Sequence, residues 1–181
     1  MIQQSTNAKT SGDIVVVAVG DVAPTILAHL CGKITKMFGG RCRLGDTLPT
    51  PQKAFEPFRQ QYSAKMILDQ LHPEKSDRIL GVTDVDLFVP ELNFVFGVAD
   101  LPGERAVIAL PRLRQQFYGK DEDETLFLGR TIKEAVHELG HTHGLAHCSN
   151  PRCVMMFSKT IEDTDYKDHT FCPICRRQMR P

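Results

Sequence analysis

The sequence predicts an α/β (α+β) fold: a mixed β-sheet with helices packed on it, one long helix late in the chain, and a small C-terminal appendage. Three observations carry this. Short β-branched runs alternate with stretches of helical period over the first two thirds of the chain. One long helical stripe then runs to a glycine at position 144, with histidines and a glutamate on its last turns. Beyond it, four of the six cysteines crowd into the last 34 residues, a segment too short to build much of a core of its own.

Taken in order, the polar residues before Gly12 are expected to fray. Residues 14–19 (IVVVAV) form a continuous β-branched run, the mark of a strand buried on both faces. Pro24 suits a first helical turn, and Ile26, Leu27, Leu30, Ile34, Met37 and Phe38 keep a helical stripe until Gly39 and Gly40. A second strand is expected at 41–44, followed by a Pro-punctuated loop over 45–57. Phe58, Tyr62, Met66 and Leu71 predict a second helix ending before Pro73. Residues 78–89 (RILGVTDVDLFV) read as a strand and its continuation, 93–98 (NFVFGV) as another and 105–110 (RAVIAL) as a further one, with a surface stretch over 115–124. From about Glu124 to His143, Leu128, Ile132, Ala135, Val136 and Leu139 supply a core-facing stripe, leaving Arg130, Glu134, His137 and His141 to face a cleft.

At 181 residues the chain can bury one core with a small appendage. We divide it into a flexible N-terminus (1–12), an N-terminal subdomain with the sheet and the long helix (13–143) and a C-terminal subdomain (144–181). Lysines plus arginines equal aspartates plus glutamates, so there is no net charge and no basic field to recruit nucleic acid or an anionic membrane. No apolar run reaches membrane-spanning length, and the N-terminus lacks a signal-peptide core. These features predict a soluble cytoplasmic protein, a monomer with neither nucleic acid nor membrane as partner.

Residues 137–155 (HELGHTHGLAHCSNPRCVM) hold the chemistry. On a helix His137 and His141 lie about 40° apart, one turn from each other, so two imidazoles can share one metal. Glu138 follows the first of them and can reach a water at the rim of such a site without taking a coordination position. Were the helix to continue, His147 would sit about 15 Å along the axis from His137, out of reach of a Zn–N bond of about 2.0 Å. The helix must therefore break, and Gly144 can take the left-handed conformation that ends it. His143 lies about 240° round from His137 and is read as structural. HExxH alone also marks ordinary amphipathic helices; the extended HExxHxxGxxH is far more specific.

Cys148 and Cys153, then Cys172 and Cys175 across the CPIC turn, suit a closed four-thiolate zinc site acting as a staple, with an iron–sulfur cluster or a redox pair as alternatives. Cys148 is the sequence neighbour of His147, so the two sites are physically tied. Cys31 and Cys42 are expected to be inert, partly buried thiols. Asp84 and Asp86 read as solvated or turn-capping carboxylates rather than catalytic ones.

HExxHxxGxxH with a downstream methionine resembles the metzincin metallopeptidases, and the interleaved cysteines resemble the archaemetzincins in particular. GVTDVDLF and LNFVFG upstream are also similar to that family. The resemblance implies a metzincin-like fold, a twisted mixed sheet above a long metal-binding helix with a small lower subdomain. It further implies a catalytic zinc on His137, His141 and His147, with Glu138 as general base or acid. A structural zinc would lie on Cys148, Cys153, Cys172 and Cys175. Met155 would be the methionine beneath the imidazoles, with Met156 one residue away. No tyrosine lies close behind Met155, which leaves Tyr166 as the one candidate phenol near the metal.

The expected function is zinc-dependent hydrolysis of peptide bonds, with two Zn2+ per chain and a peptide or protein as substrate. An edge strand at NFVFGV could pair with an extended substrate. A zinc hydrolase or aminopeptidase acting on a non-standard substrate, and a catalytically idle zinc-stabilised binding module, are the alternatives. A nucleic-acid-binding zinc ribbon fits less well, because only Arg152, Lys159, Arg176 and Arg177 give basic density nearby.

Overall fold

The computed structural model describes residues 12–74 and 77–180, so the stretch before Gly12 lies outside the described residues. In chain order the elements are β1 (Ile14–Val19), α1 (Pro24–Phe38), β2 (Cys42–Leu44), β3 (Phe55–Glu56), β4 (Gln61–Ser63) and α2 (Ala64–Leu68). There follow β5 (Arg78–Thr83), β6 (Leu87–Phe88), β7 (Gly97–Ala99), β8 (Arg105–Ala109), α3 (Glu124–Thr142), α4 (Ile161–Tyr166) and α5 (Pro173–Gln178). Five strands form one mixed sheet in the order β2-β1-β5-β8-β7, and β3-β4-β6 form a small second one. The first four strands of the large sheet are parallel; β7 closes its edge antiparallel to β8.

Period-two alternation explains the layering. Ile14, Val16 and Ala18 of β1 join one buried cluster with Leu27, Leu30 and Ile34 of α1 and Ala135 and Leu139 of α3. Val15, Val17 and Val19 point to the opposite face, where Ile67, Leu71 and Leu87 cover them. The IVVVAV run is apolar throughout because neither face of this strand meets water. Each valine, leucine or isoleucine among them, fully buried, contributes about 1.5–3 kcal/mol. A third cluster, around Leu145, Val154, Met155 and Phe171, forms after the long helix ends and packs on its Val136. Among the described residues, no helix is long and apolar enough to cross a membrane.

Expectation and structure part at four places. The predicted helix over 58–71 is only α2: Pro57 and the positive φ of Gln60 (54°) interrupt the pattern, and residues 61–63 pair instead with β3 and β6. Phe58 is fully exposed, so its match to the helical spacing was coincidental. The continuous run over 78–89 splits into β5 and β6, which join different sheets. NFVFGV enters the sheet only from Gly97; Val95 makes a single bridge to Leu87 and the rest walls the cleft. Finally, Cys31 and Cys42 are not free thiols but a disulfide, with Cα atoms 5.4 Å apart. Gly39, at φ 74°, turns the chain back so that β2 lies beside α1. That fold-back gives no signal in local sequence patterning.

Candidate active site

The long helix α3 starts where the Asp123 carboxylate accepts from Leu126 N at 2.9 Å. It stops where expected. Gly144 takes φ 83°, its N–H donates to the His141 carbonyl (2.8 Å), and Leu145 N–H donates to the Gly140 carbonyl (3.1 Å). This pair of bonds reverses the chain and satisfies the helix's last carbonyls. Leu145 is then buried, and the chain brings His147 back toward the helix.

The three imidazoles converge. Nitrogens of His137, His141 and His147 lie within 4.8 Å of one another. His137 Nδ1 is 2.8 Å from the Val154 carbonyl and His141 Nδ1 is 2.7 Å from the Leu145 carbonyl. A carbonyl can only accept, so each Nδ1 carries its ring's proton and each Nε2 presents a lone pair. Yet the two Nε2 atoms face each other at 3.1 Å. Burial first, then the nearby Lys167 ammonium, holds His137 well below the usual imidazole range. Burial likewise lowers His141, which favours neutral rings with two lone pairs facing each other. A cation shared between them would make this arrangement favourable. About 3.3 Å separates ligand nitrogens around a tetrahedral zinc at Zn–N of about 2.0–2.1 Å, so the donor set fits that ion.

Glu138 stands beside them. Its carboxylate is buried, which raises its pKa well above the usual range, and Glu134 adds to the rise. Gly97 of β7 lies directly against it: a Cβ there would sit 2.6 Å from Glu138 Cγ and 2.7 Å from the Val107 carbonyl oxygen. A hollow of about 300 Å3 opens on this side, walled by Phe94, Phe96 and Phe157 with Glu134, His137 and Glu138 at its base. A second, of about 270 Å3, runs along β7 and reaches all three imidazoles. The exposed side chains of Leu92, Leu101 and Phe157 border the two hollows, so the cleft is apolar around a polar centre.

The four C-terminal cysteines form the second cluster, their sulfurs also within 4.8 Å of one another. Cys148 and Cys172 are 3.9 Å apart and Cys153 and Cys175 3.7 Å, against about 3.8 Å for the edge of a tetrahedron with Zn–S of about 2.3 Å. Backbone N–H groups of Asn150 and Cys172 donate to Cys148 and Cys153. Backbone N–H donation from Cys175 brings Cys172 down to about 7, while burial pushes Cys175 up. Four adjacent thiols cannot all ionise unaided; a dication at the centre removes the conflict. The two clusters meet in the backbone, because Cys148 N–H donates to the Met155 carbonyl at 2.9 Å.

Met155, not Met156, is the buried methionine of the two, and its sulfur packs where a Cβ on Gly140 would stand. His143 turns away, stacked on Phe38 at 5.1 Å with Nδ1 on the Arg180 carbonyl. Tyr166 lies outside both hollows, 55% exposed beneath Arg152. Asp86 holds Arg112 through two bonds of 2.7 and 2.8 Å, and Asp84 holds Arg114 at 2.6 and 3.0 Å, so both carboxylates are structural ion pairs. Three features escaped the sequence reading: Gly97 against Glu138, Phe157 packed 4.8 Å from His147, and a buried pair of Glu134 with Lys167. A glycine inside an apolar run was a signal for the first; Lys167 had none.

Fold and site together are those expected of a metzincin-type metallopeptidase, with three convergent imidazoles and a chain reversal at Gly144. The profile of Peptidase family M54 matches residues 8–181. Archaemetzincin from Methanocaldococcus jannaschii is 44% identical over 162 residues, covering 90% of this chain and 89% of that protein. The crystal structure of archaemetzincin from Archaeoglobus fulgidus, complexed with malonate, superposes with a TM-score of 0.83 at 35% identity, covering 92% of this chain and 99% of that one. Archaemetzincin from Methanopyrus kandleri gives 0.82 at 34%, covering 96% and 98%. The chain therefore belongs to peptidase family M54, the archaemetzincins, and is a zinc metallopeptidase.

Proposed function

We propose that the chain hydrolyses peptide bonds at the imidazole site, with His137, His141 and His147 holding a catalytic zinc and Glu138 as general base. Cys148, Cys153, Cys172 and Cys175 would hold a structural zinc, giving two per chain, and Gly144 would divide the upper subdomain from the lower. One observation supports the catalytic site above the others: the buried Nε2 atoms of His137 and His141 face each other at 3.1 Å while each ring's Nδ1 is engaged by a backbone carbonyl. A zinc ion there would supply Lewis acidity, drawing charge from the scissile carbonyl and lowering the pKa of water toward about 7.

The residues of the chain do the rest. Glu138, made more basic by burial, takes the proton of the attacking water and returns it to the leaving amine. Phe96 and Asp100 bond to β8, so the alternating backbone groups of Gly97 and Ala99 point away from the sheet. An extended peptide can pair with that free edge, its apolar side chains entering the two hollows.

Glu138→Ala tests the reading on a library of extended peptides. Cleavage is expected to fall about 10²–10⁴-fold with both metals retained by elemental analysis. Undiminished turnover, or a wild-type protein with no metal on the imidazoles, would refute it.

A further inference from the structure

Lys167 is completely buried, and its ammonium lies 3.0 Å from Glu134 Oε1, itself 3% exposed. Thr164 Oγ1 donates to that same oxygen at 3.0 Å, and the ammonium also donates to the Met156 carbonyl at 3.4 Å. Glu134 stands one turn before His137 on α3. Met156 belongs to the 154–157 turn, which provides the Val154 carbonyl on His137, Met155 against Gly140 and Phe157 against His147. Lys167 thus bridges the helix that carries two imidazoles and the turn that touches His137 and His147.

We propose that Lys167, anchored by Glu134, is a positioning residue of the imidazole site, holding the 154–157 turn against α3. Stability alone does not require it. Replacing a buried ion pair by apolar side chains of similar volume is often neutral or stabilising. The helix is, besides, already tied to the lower segment by Arg130 with Asp165 (2.6 and 2.7 Å) and by Lys133 with the Thr164 and Asp165 carbonyls. What Lys167 adds is reach to the turn itself.

This inference rests on the imidazoles being the metal site, and its test separates the two. Lys167→Met leaves a carboxylate buried without its cation and is expected to lower the melting midpoint; Glu134→Met with Lys167→Met removes the whole pair and restores it. In the double variant the cysteine site keeps its zinc, but Co2+ loaded on the imidazoles gives an altered visible absorption band. Its kcat falls about tenfold or more while KM changes less than twofold. A double variant with the wild-type Co2+ spectrum and wild-type kcat overturns the role of Lys167. Wild-type protein that binds no Co2+ at the imidazoles instead overturns the proposed function.

Discussion

At Gly97 the absence of one methyl group decides where the Glu138 carboxylate can stand. An alanine there would bring its Cβ within 2.6 Å of the Glu138 side chain and 2.7 Å of the Val107 backbone oxygen, and backbone cannot yield cheaply. Gly97→Ala is therefore expected to cost about 1–3 kcal/mol of stability and to lower kcat about tenfold or more while both metals stay bound. Unchanged kcat would show that Glu138 tolerates displacement. At this level the sequence was most legible where covalent spacing dictates geometry. His137 and His141 four apart, and a glycine before His147, leave few ways to fold around one ion. Glu134 stood on the expected face, but its partner Lys167 could not be found, because the contact spans 33 positions and has no period.

Among the elements, α3 and the segment after it depend on each other. α3 presents His137 and His141, yet the carbonyls that orient them come from Val154 and Leu145, beyond the helix. Cys148, next to His147, is held by the Met155 carbonyl and by the sulfur cluster. Removing Cys172→Ser and Cys175→Ser together should release one zinc and also weaken the histidine site, read as a metal content falling below one per chain after dialysis. A doubly substituted protein that keeps one full, active zinc would show the two sites to be independent. Elements with strong period and clear punctuation, β1, α1 and α3, were readable from the sequence alone. The region 58–71 was not, because pairing of 61–63 with β3 and β6 overrode a chance helical spacing.

Across the protein, burial of the imidazoles predicts how acid acts on it. His137, His141 and His143 are all lowered, chiefly by burial, so the unfolded chain protonates first as pH falls. Their stabilisation is full above about pH 6.5 and is lost as pH drops through the lowered folded-state values. Glu138, raised by burial, works in the opposite sense, its contribution fading as pH rises through its raised value. Three buried imidazoles against one carboxyl set the balance. Protein stripped of the histidine-site metal should show a lower urea midpoint at pH 5.5 than at 7.5, with a larger drop in Glu138→Gln. An equal or higher midpoint at the lower pH in both proteins would count against the burial of the imidazoles. Sequence alone determined the fold class, the ligand candidates of both clusters and the necessity of a break at Gly144, because these follow from short-range periodicity and the reach of a helix. Tertiary structure alone decided the Cys31–Cys42 disulfide, the packing of Gly97 on Glu138 and the burial of Lys167. Each is a contact between strands, helices and turns whose distance in space owes nothing to their spacing along the chain.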